Sequence, residues 1–215
     1  MKKTLNPSGK KHRFGKAWMH QHVTDPYVKE AQRLGYRSRS AFKLTELAQK
    51  DKLLRRGMTV VDLGAAPGSW CQVLRERLGP QAKIVAVDIL PMTPLPSVTF
   101  VQADFSSDEG LAAVQSALGA ERADLVVSDM APNLSGIDSV DQARSVHLAE
   151  LALEFASTAL QPGGDFVVKL FQGAGLREFQ RAVAQHFVKA HIRKPKASRD
   201  RSREIFIVAK GRLDE

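Results

Sequence analysis

The chain has 215 residues, 43% of them hydrophobic and 26% charged, a balance that suits one soluble α/β domain with a full core. One cysteine (Cys71) excludes an internal disulfide, Met1-Lys2-Lys3 leads into polar residues rather than a signal peptide's apolar stretch, and no apolar run reaches membrane-spanning length, so a reducing cytoplasm is expected. The net charge of +9 is unevenly spread: residues 1–50 hold 12 Lys/Arg against 3 Asp/Glu, residues 51–188 hold 11 against 16, and residues 189–203 hold 7 against 1.

Residues 1–20 are basic and polar with no usable period, and are expected to form a flexible N-terminal arm ahead of a single domain over 21–215. A helical pattern begins at Asp25-Pro26 and breaks near Gly35. A second helix fits 40–50, with Ala41, Leu44, Leu47 and Ala48 on one face. "GMTVVDLGAAPGSW" then reads as a buried strand ending in a glycine-containing turn. "KIVAVDIL", "VTFVQADF", "ADLVVSDMAP" and "GGDFVVKLFQG" follow as short β-branched or aromatic strands. Amphipathic stretches lie between them, notably 141–160, which stops at Gln161-Pro162-Gly163-Gly164, a turn signal. "VKAHIRKP" and "REIFIVAKG" close the chain. The basic segment between them has no room for a crossover helix, so they should pair antiparallel. Apolar strands alternating with helices predict a mainly parallel, Rossmann-like α/β sheet covered on both faces.

In such sheets ligands bind beyond the carboxyl ends of the strands, and the acidic residues gather there. Asp62, Gly64 and Gly68 flank the first turn, Asp88 ends the second strand, Asp104 follows the third and Asp129 ends the fourth. The glycines permit close approach of a ligand to the backbone. Asp88 stands 20 positions past Gly68, suited to the two hydroxyls of a nucleoside ribose, and Asp104 suits an adenine amine. A nicotinamide enzyme wants Gly-x-Gly-x-x-Gly at the turn, but Asp62 and Pro67 occupy two of those glycine positions. A carboxylate there repels a pyrophosphate. It suits the amino group and sulfonium of S-adenosylmethionine instead. Trp70 either packs along that ligand or belongs to the core.

The fourth strand ends Ser128-Asp129-Met130-Ala131-Pro132, without the Pro-Pro-aromatic sequence that stacks a base for amine methylation, which points to a hydroxyl acceptor. A ribose 2′-hydroxyl needs a base, or stabilisation of its forming alkoxide, in line with the methyl carbon. Lys169 follows the apolar run Phe166-Val167-Val168 and so either snorkels out or sits in the pocket mouth, with Lys43 as its neighbouring cation and Asp129 and Glu204 to orient the amines. The alternative is that these are ordinary surface charges. The two basic stretches suit a polyanion, whose condensed counterions they would release. Arg37 and Arg39 precede Lys43, and Lys194, Lys196, Arg199, Arg201 and Arg203 precede Glu204, so phosphate contacts can place the ribose. His20 and His22 form an isolated pair, and no metal is expected.

The segments "RSRSAFKL", "GMTVVDLGAAPGSW", "SDMAPNLSG", "FVVKLFQG" and "KPKASRDRSREIFIVAKG" resemble the FtsJ/RrmJ family of ribosomal RNA 2′-O-ribose methyltransferases, also called RlmE, over roughly residues 18–212. The resemblance implies a catalytic tetrad of Lys43, Asp129, Lys169 and Glu204, and cofactor contacts at Gly68, Trp70, Asp88, Asp104 and Asp129. It implies S-adenosylmethionine as donor, S-adenosylhomocysteine as product, and a uridine ribose in the A-loop of 23S rRNA as acceptor, on the assembled large ribosomal subunit. A monomer that touches no membrane is expected. Ser69 departs from bacterial members, which often carry a second glycine there. A tRNA acceptor, or a non-catalytic ribosome assembly factor with the same basic faces, remains an alternative.

Overall fold

A computed structural model of the chain describes residues 24–199 and 201–214. The expected arm and the His20/His22 pair lie outside the described residues.

Helix α1 (Pro26–Leu34) starts as its sequence dictates. Asp25 caps it by accepting a hydrogen bond from the Tyr27 amide at 3.0 Å, Pro26 takes the first turn, and Gly35 ends it in the left-handed region. Helix α2 (Ser40–Asp51) buries Ala41, Leu44 and Leu47 along one face. Then come β1 (Thr59–Leu63), α3 (Ser69–Leu78), β2 (Lys83–Asp88), β3 (Thr99–Gln102), α4 (Asp108–Leu118), β4 (Ala123–Ser128), α5 (Asp138–Ala159), β5 (Leu160–Phe171), α6 (Leu176–His186), β6 (Phe187–Arg193) and β7 (Glu204–Arg212).

The strands form one seven-stranded sheet in the order β3-β2-β1-β4-β5-β7-β6. Pairings from β3 to β5 are parallel, while β7 runs antiparallel to both β5 and β6. The expected antiparallel closing pair is therefore present, with the last strand inserted beside β5 rather than left at the edge. The turn foreseen at Gln161-Pro162-Gly163-Gly164 falls inside β5. The register against β4 jumps there from Ala123↔Leu160 to Leu125↔Asp165, so the extra residues bulge out and the strand resumes.

Alternation along each strand splits the core in two. Val61, Val85, Val126, Phe166 and Val168 pack under α4, α5 and α6. Val60, Ile84, Val127, Val167, Phe206 and Val208 pack under α2 and α3. By the same parity Asp62, Asp129, Lys169 and Glu204 all face the α2–α3 side. Leu44 is fully buried there, and Leu44→Ala is expected to cost about 2–5 kcal/mol. Packing α2 against this face sets Lys43 over the carboxyl edge of the sheet.

Candidate active site

The parallel strands deliver their carboxyl ends to one rim. The Asp88 carboxylate accepts the Ala66 amide at 2.9 Å on one oxygen and the Leu90 amide at 2.8 Å on the other, so it is held square to the turn after β1. Each oxygen keeps a further lone pair. Asp104 is exposed, and bonds from the Ser106 hydroxyl and amide hold its carboxyl below the ordinary carboxylate range. Asp88, Asp104, Asp129, Gly64, Phe105 and Met130 are among the walls of a cleft of about 410 Å³. Gly64 has a positive φ of 78°, and a Cβ on it would lie 2.7 Å from Met130 Cγ, so glycine is required where the turns after β1 and β4 meet. Gly68 is crowded by Arg37 and Met92 in the same way. Both glycines thus serve contacts within the protein, whatever ligand approaches them.

Three expected contacts lie elsewhere: Gly68, buried in the turn outside the cleft, Asp62 and Trp70. Asp62 does not line the cleft: it sits within β1, fully buried beneath α3, and accepts the Cys71 thiol at 3.1 Å. Burial pushes its carboxyl up to about 7 against that bond, with the Asp129 and Asp88 charges adding to the rise. Trp70 is core. Its ring packs on Phe206 with centroids 5.9 Å apart, and its indole N–H donates to the Ser40 carbonyl at 2.8 Å.

Beside the cleft, four charged side chains meet as two ion pairs. Asp129 follows β4 and Lys169 lies on the adjacent β5, Ser128 pairing with Val168. Lys169 Nζ stands 2.9 Å from Asp129 Oδ1 and donates to the Asp129 carbonyl at 2.6 Å. Lys43 Nζ meets Glu204 Oε1 at 2.7 Å. The antiparallel register sets Lys169 opposite Phe206 and Phe171 opposite Glu204, so Lys169 and Glu204 share a face. The Phe206 ring lies between the pairs, 5.8 Å below the Lys43 ammonium. Lys169 is only 7% exposed and Asp129 17%. Burial works against ionising Asp129, yet the Lys169 and Lys43 charges, with bonds from Lys169 and Ser40, hold it below the ordinary range. The expected tetrad is one physical cluster.

The sequence pattern of the FtsJ-like methyltransferase family matches residues 36–212, nearly all of the described chain. The chain belongs to the FtsJ-like methyltransferase family. A protein of Azoarcus sp. (strain BH72) named ribosomal RNA large subunit methyltransferase E is 55% identical over 199 residues, 93% of this chain and 97% of that protein. One of the same name from Thiobacillus denitrificans is 53% identical over 201 residues, 94% of this chain and 91% of that one. A crystal structure described as a ribosomal RNA methyltransferase from Plasmodium falciparum superimposes with a TM-score of 0.74 at 29% identity, over 84% of this chain and all of that one.

In this FtsJ-like methyltransferase the basic residues divide into two groups. Arg37 donates to the carbonyls of Pro67, Thr93 and Pro94, clamping the turn before α3 to the segment after β2. Arg39 pairs with Asp25 and donates to the Ala197 carbonyl. Lys194 donates to the carbonyls of Ser202 and Glu204, and Arg203 pairs with Asp138 at 3.0 Å. Those charges are partly or wholly spent on the fold. Arg199, 3.6 Å from Asp25, is half-buried, whereas Lys196 and Arg201 are exposed. Arg39, Lys43, Arg199 and Glu204 border a second cleft of about 350 Å³ that also contains Ser40. Ser40 donates its hydroxyl to Asp129 Oδ2 at 2.6 Å, so this hydrogen bond separates the two clefts. Sequence reading passed over Ser40. Its one signal was a position three residues before Lys43, nearly one helical turn away.

Proposed function

We propose that this methyltransferase transfers a methyl group from S-adenosylmethionine to the 2′-hydroxyl of a uridine ribose in the 23S rRNA A-loop. The acceptor in this reading is the assembled large ribosomal subunit in the cytoplasm, and the enzyme acts as a monomer. The observation that carries the reading is the Lys169–Asp129 pair at the junction of an acidic cleft and a basic one. The names of the relatives support large-subunit rRNA as substrate.

The acidic cleft fits the donor. Asp88 retains lone pairs for two ribose hydroxyls, Asp104 has an exposed carboxylate for an adenine amine, and Phe105 and Met130 supply apolar wall. Asp129 adds negative charge near the sulfonium. Asp62 acts from beneath the turn, through Cys71 and α3. When bound, S-adenosylmethionine supplies an electrophilic methyl group and leaves as S-adenosylhomocysteine.

The chain's own residues do the rest. The ribose enters from the cleft bordered by Arg39, Lys43 and Glu204, with Lys196, Arg199 and Arg201 holding flanking phosphates. Lys169 faces the 2′-oxygen. Lys169, once its ammonium proton has passed to solvent as the ribose enters, takes the hydroxyl proton while that oxygen bonds to the methyl carbon, and Asp129 balances the ammonium so restored. Lys43 adds positive potential where negative charge develops, and Glu204 fixes its position. Depth matters as well. With Lys169 almost out of solvent, water competes poorly for the methyl group.

The test is transfer of labelled methyl to large subunits lacking the modification, to naked rRNA and to bulk tRNA. The reading expects label on the subunit at one uridine. Label on tRNA alone would overturn the substrate, and no transfer to any of the three, with RNA binding intact, would favour an assembly factor.

A further inference from the structure

Helix α2 begins at Ser40, and a serine there is ordinarily read as helix-starting chemistry. Its hydroxyl is spent differently. Ser40 Oγ donates to Asp129 Oδ2 at 2.6 Å, while Lys169 Nζ meets Asp129 Oδ1 at 2.9 Å. Each carboxylate oxygen is thus engaged by a separate element, α2 on one side and β5 on the other. The carboxylate cannot turn without breaking both contacts. Ser40 is itself held from the cofactor side. Its carbonyl accepts the buried Trp70 indole at 2.8 Å, and two residues earlier Ser38 Oγ lies 2.8 Å from Ser69 Oγ. Trp70 and Ser69 open α3. A continuous path therefore runs from the first turn of α3, through Trp70 and Ser40, to Asp129 and Lys169.

We propose that Ser40 is a positioning residue for methyl transfer: its hydroxyl, fixed from the first turn of α3, aims the Asp129 carboxylate at Lys169. The inference rests on the methyl-transfer reading of the site. In this scheme Ser40 borders the acceptor's cleft but its hydroxyl, bonded to Asp129, acts through that carboxylate. A hydroxyl bonded to a carboxylate favours its charged form, so loss of the bond should raise the pH at which Asp129 ionises.

The test compares Ser40→Ala with Ser40→Thr and Ser40→Cys in the full-length enzyme, using S-adenosylhomocysteine affinity by calorimetry as the check on the donor site. Ser40→Ala is expected to lower kcat roughly tenfold, as for loss of one hydrogen bond to a charged group, with KM for the RNA unchanged. The acidic limb of its kcat–pH profile should move to higher pH, and carbon-detected NMR titration of Asp129 should move with it. Ser40→Thr keeps the hydroxyl and should restore the parental limb, while Ser40→Cys, a weaker donor, should fall between. If Ser40→Ala fails to bind S-adenosylhomocysteine, the Thr and Cys variants carry the comparison. An unmoved acidic limb and Asp129 titration, or Thr and Cys variants that behave alike, would overturn the proposal. The NMR arm needs no methyl transfer, so a parental enzyme that transfers nothing to RNA sinks the function while Asp129 still reports on Ser40.

Discussion

Asp62 and Asp129 are carried by neighbouring parallel strands, face the same side of the sheet and lie close enough to feel each other's charge. Burial works against ionising both, yet they are driven in opposite directions. Asp62 has a thiol for company and is pushed up to about 7. Asp129 has two ammoniums and a hydroxyl and is held below the ordinary carboxylate range. The difference shows that burial at this rim does not decide the charge state; the partner does. It also separates the roles. Asp62 supports the turn from below, and Asp129 stands as a fixed negative charge where two lysines converge.

The largest expected effect comes from making Asp129 resemble Asp62. Lys169→Met removes the nearer ammonium and should lower methyl transfer by about a thousandfold, within the usual range for a positioned acid–base group. Calorimetry should still find S-adenosylhomocysteine bound, and full activity in this variant would break the assignment. Next is Lys43→Met, which strands Glu204, only 12% exposed, as an uncompensated carboxylate. Urea unfolding should show a loss of about 3 kcal/mol, recovered in large part when Glu204→Leu is added. Equal instability of single and double variants would mean that the pair is not coupled.

The third prediction concerns pH. The folded chain keeps a proton on Asp62 that the unfolded chain, with an ordinary carboxyl, releases above about pH 4. Stability therefore falls as pH rises from there to about 7, and is flat beyond. Asp129 works the other way: its stabilisation is present above the ordinary carboxylate range and is lost as pH falls below it. Asp62→Asn mimics the protonated form and should raise the thermal midpoint more at pH 8 than at pH 5. A uniform change at both would contradict the raised carboxyl. The smallest effects belong to the exposed cations. Lys196→Ala and Arg201→Ala should each weaken RNA binding and reduce the salt slope by about one, with kcat unaltered.

Much of this was legible in the residues. The β-branched runs gave the strands, and the acidic residues at their ends marked the cleft at the sheet's rim, because a doubly covered parallel sheet leaves its carboxyl edge as the place for polar groups. The depth of Asp62 was not legible. One step along a strand exchanges rim for interior, and the run "VVDLG" does not say at which residue the edge falls. Nor does a count of charges reveal that Arg37 and Lys194 are spent on backbone carbonyls. Lys43 and Glu204 lie far apart in sequence, and their 2.7 Å contact depends on α2 packing over the β5–β7 pair, which local pattern cannot register. Residue chemistry offered them as candidates beside Lys169, with ordinary surface charge as the alternative, and the family resemblance implied the tetrad. Ser40 escaped both routes.

Nucleoside analysis of the methylated RNA tests the central claim most directly. After transfer of labelled methyl to unmodified large subunits, alkaline hydrolysis should leave the label in an alkali-resistant dinucleotide, since a 2′-O-methyl group blocks cleavage of the following phosphodiester, and Lys169→Met should leave none. Label recovered on a base in mononucleotides, or an undiminished alkali-resistant product from the Lys169 variant, would contradict the account.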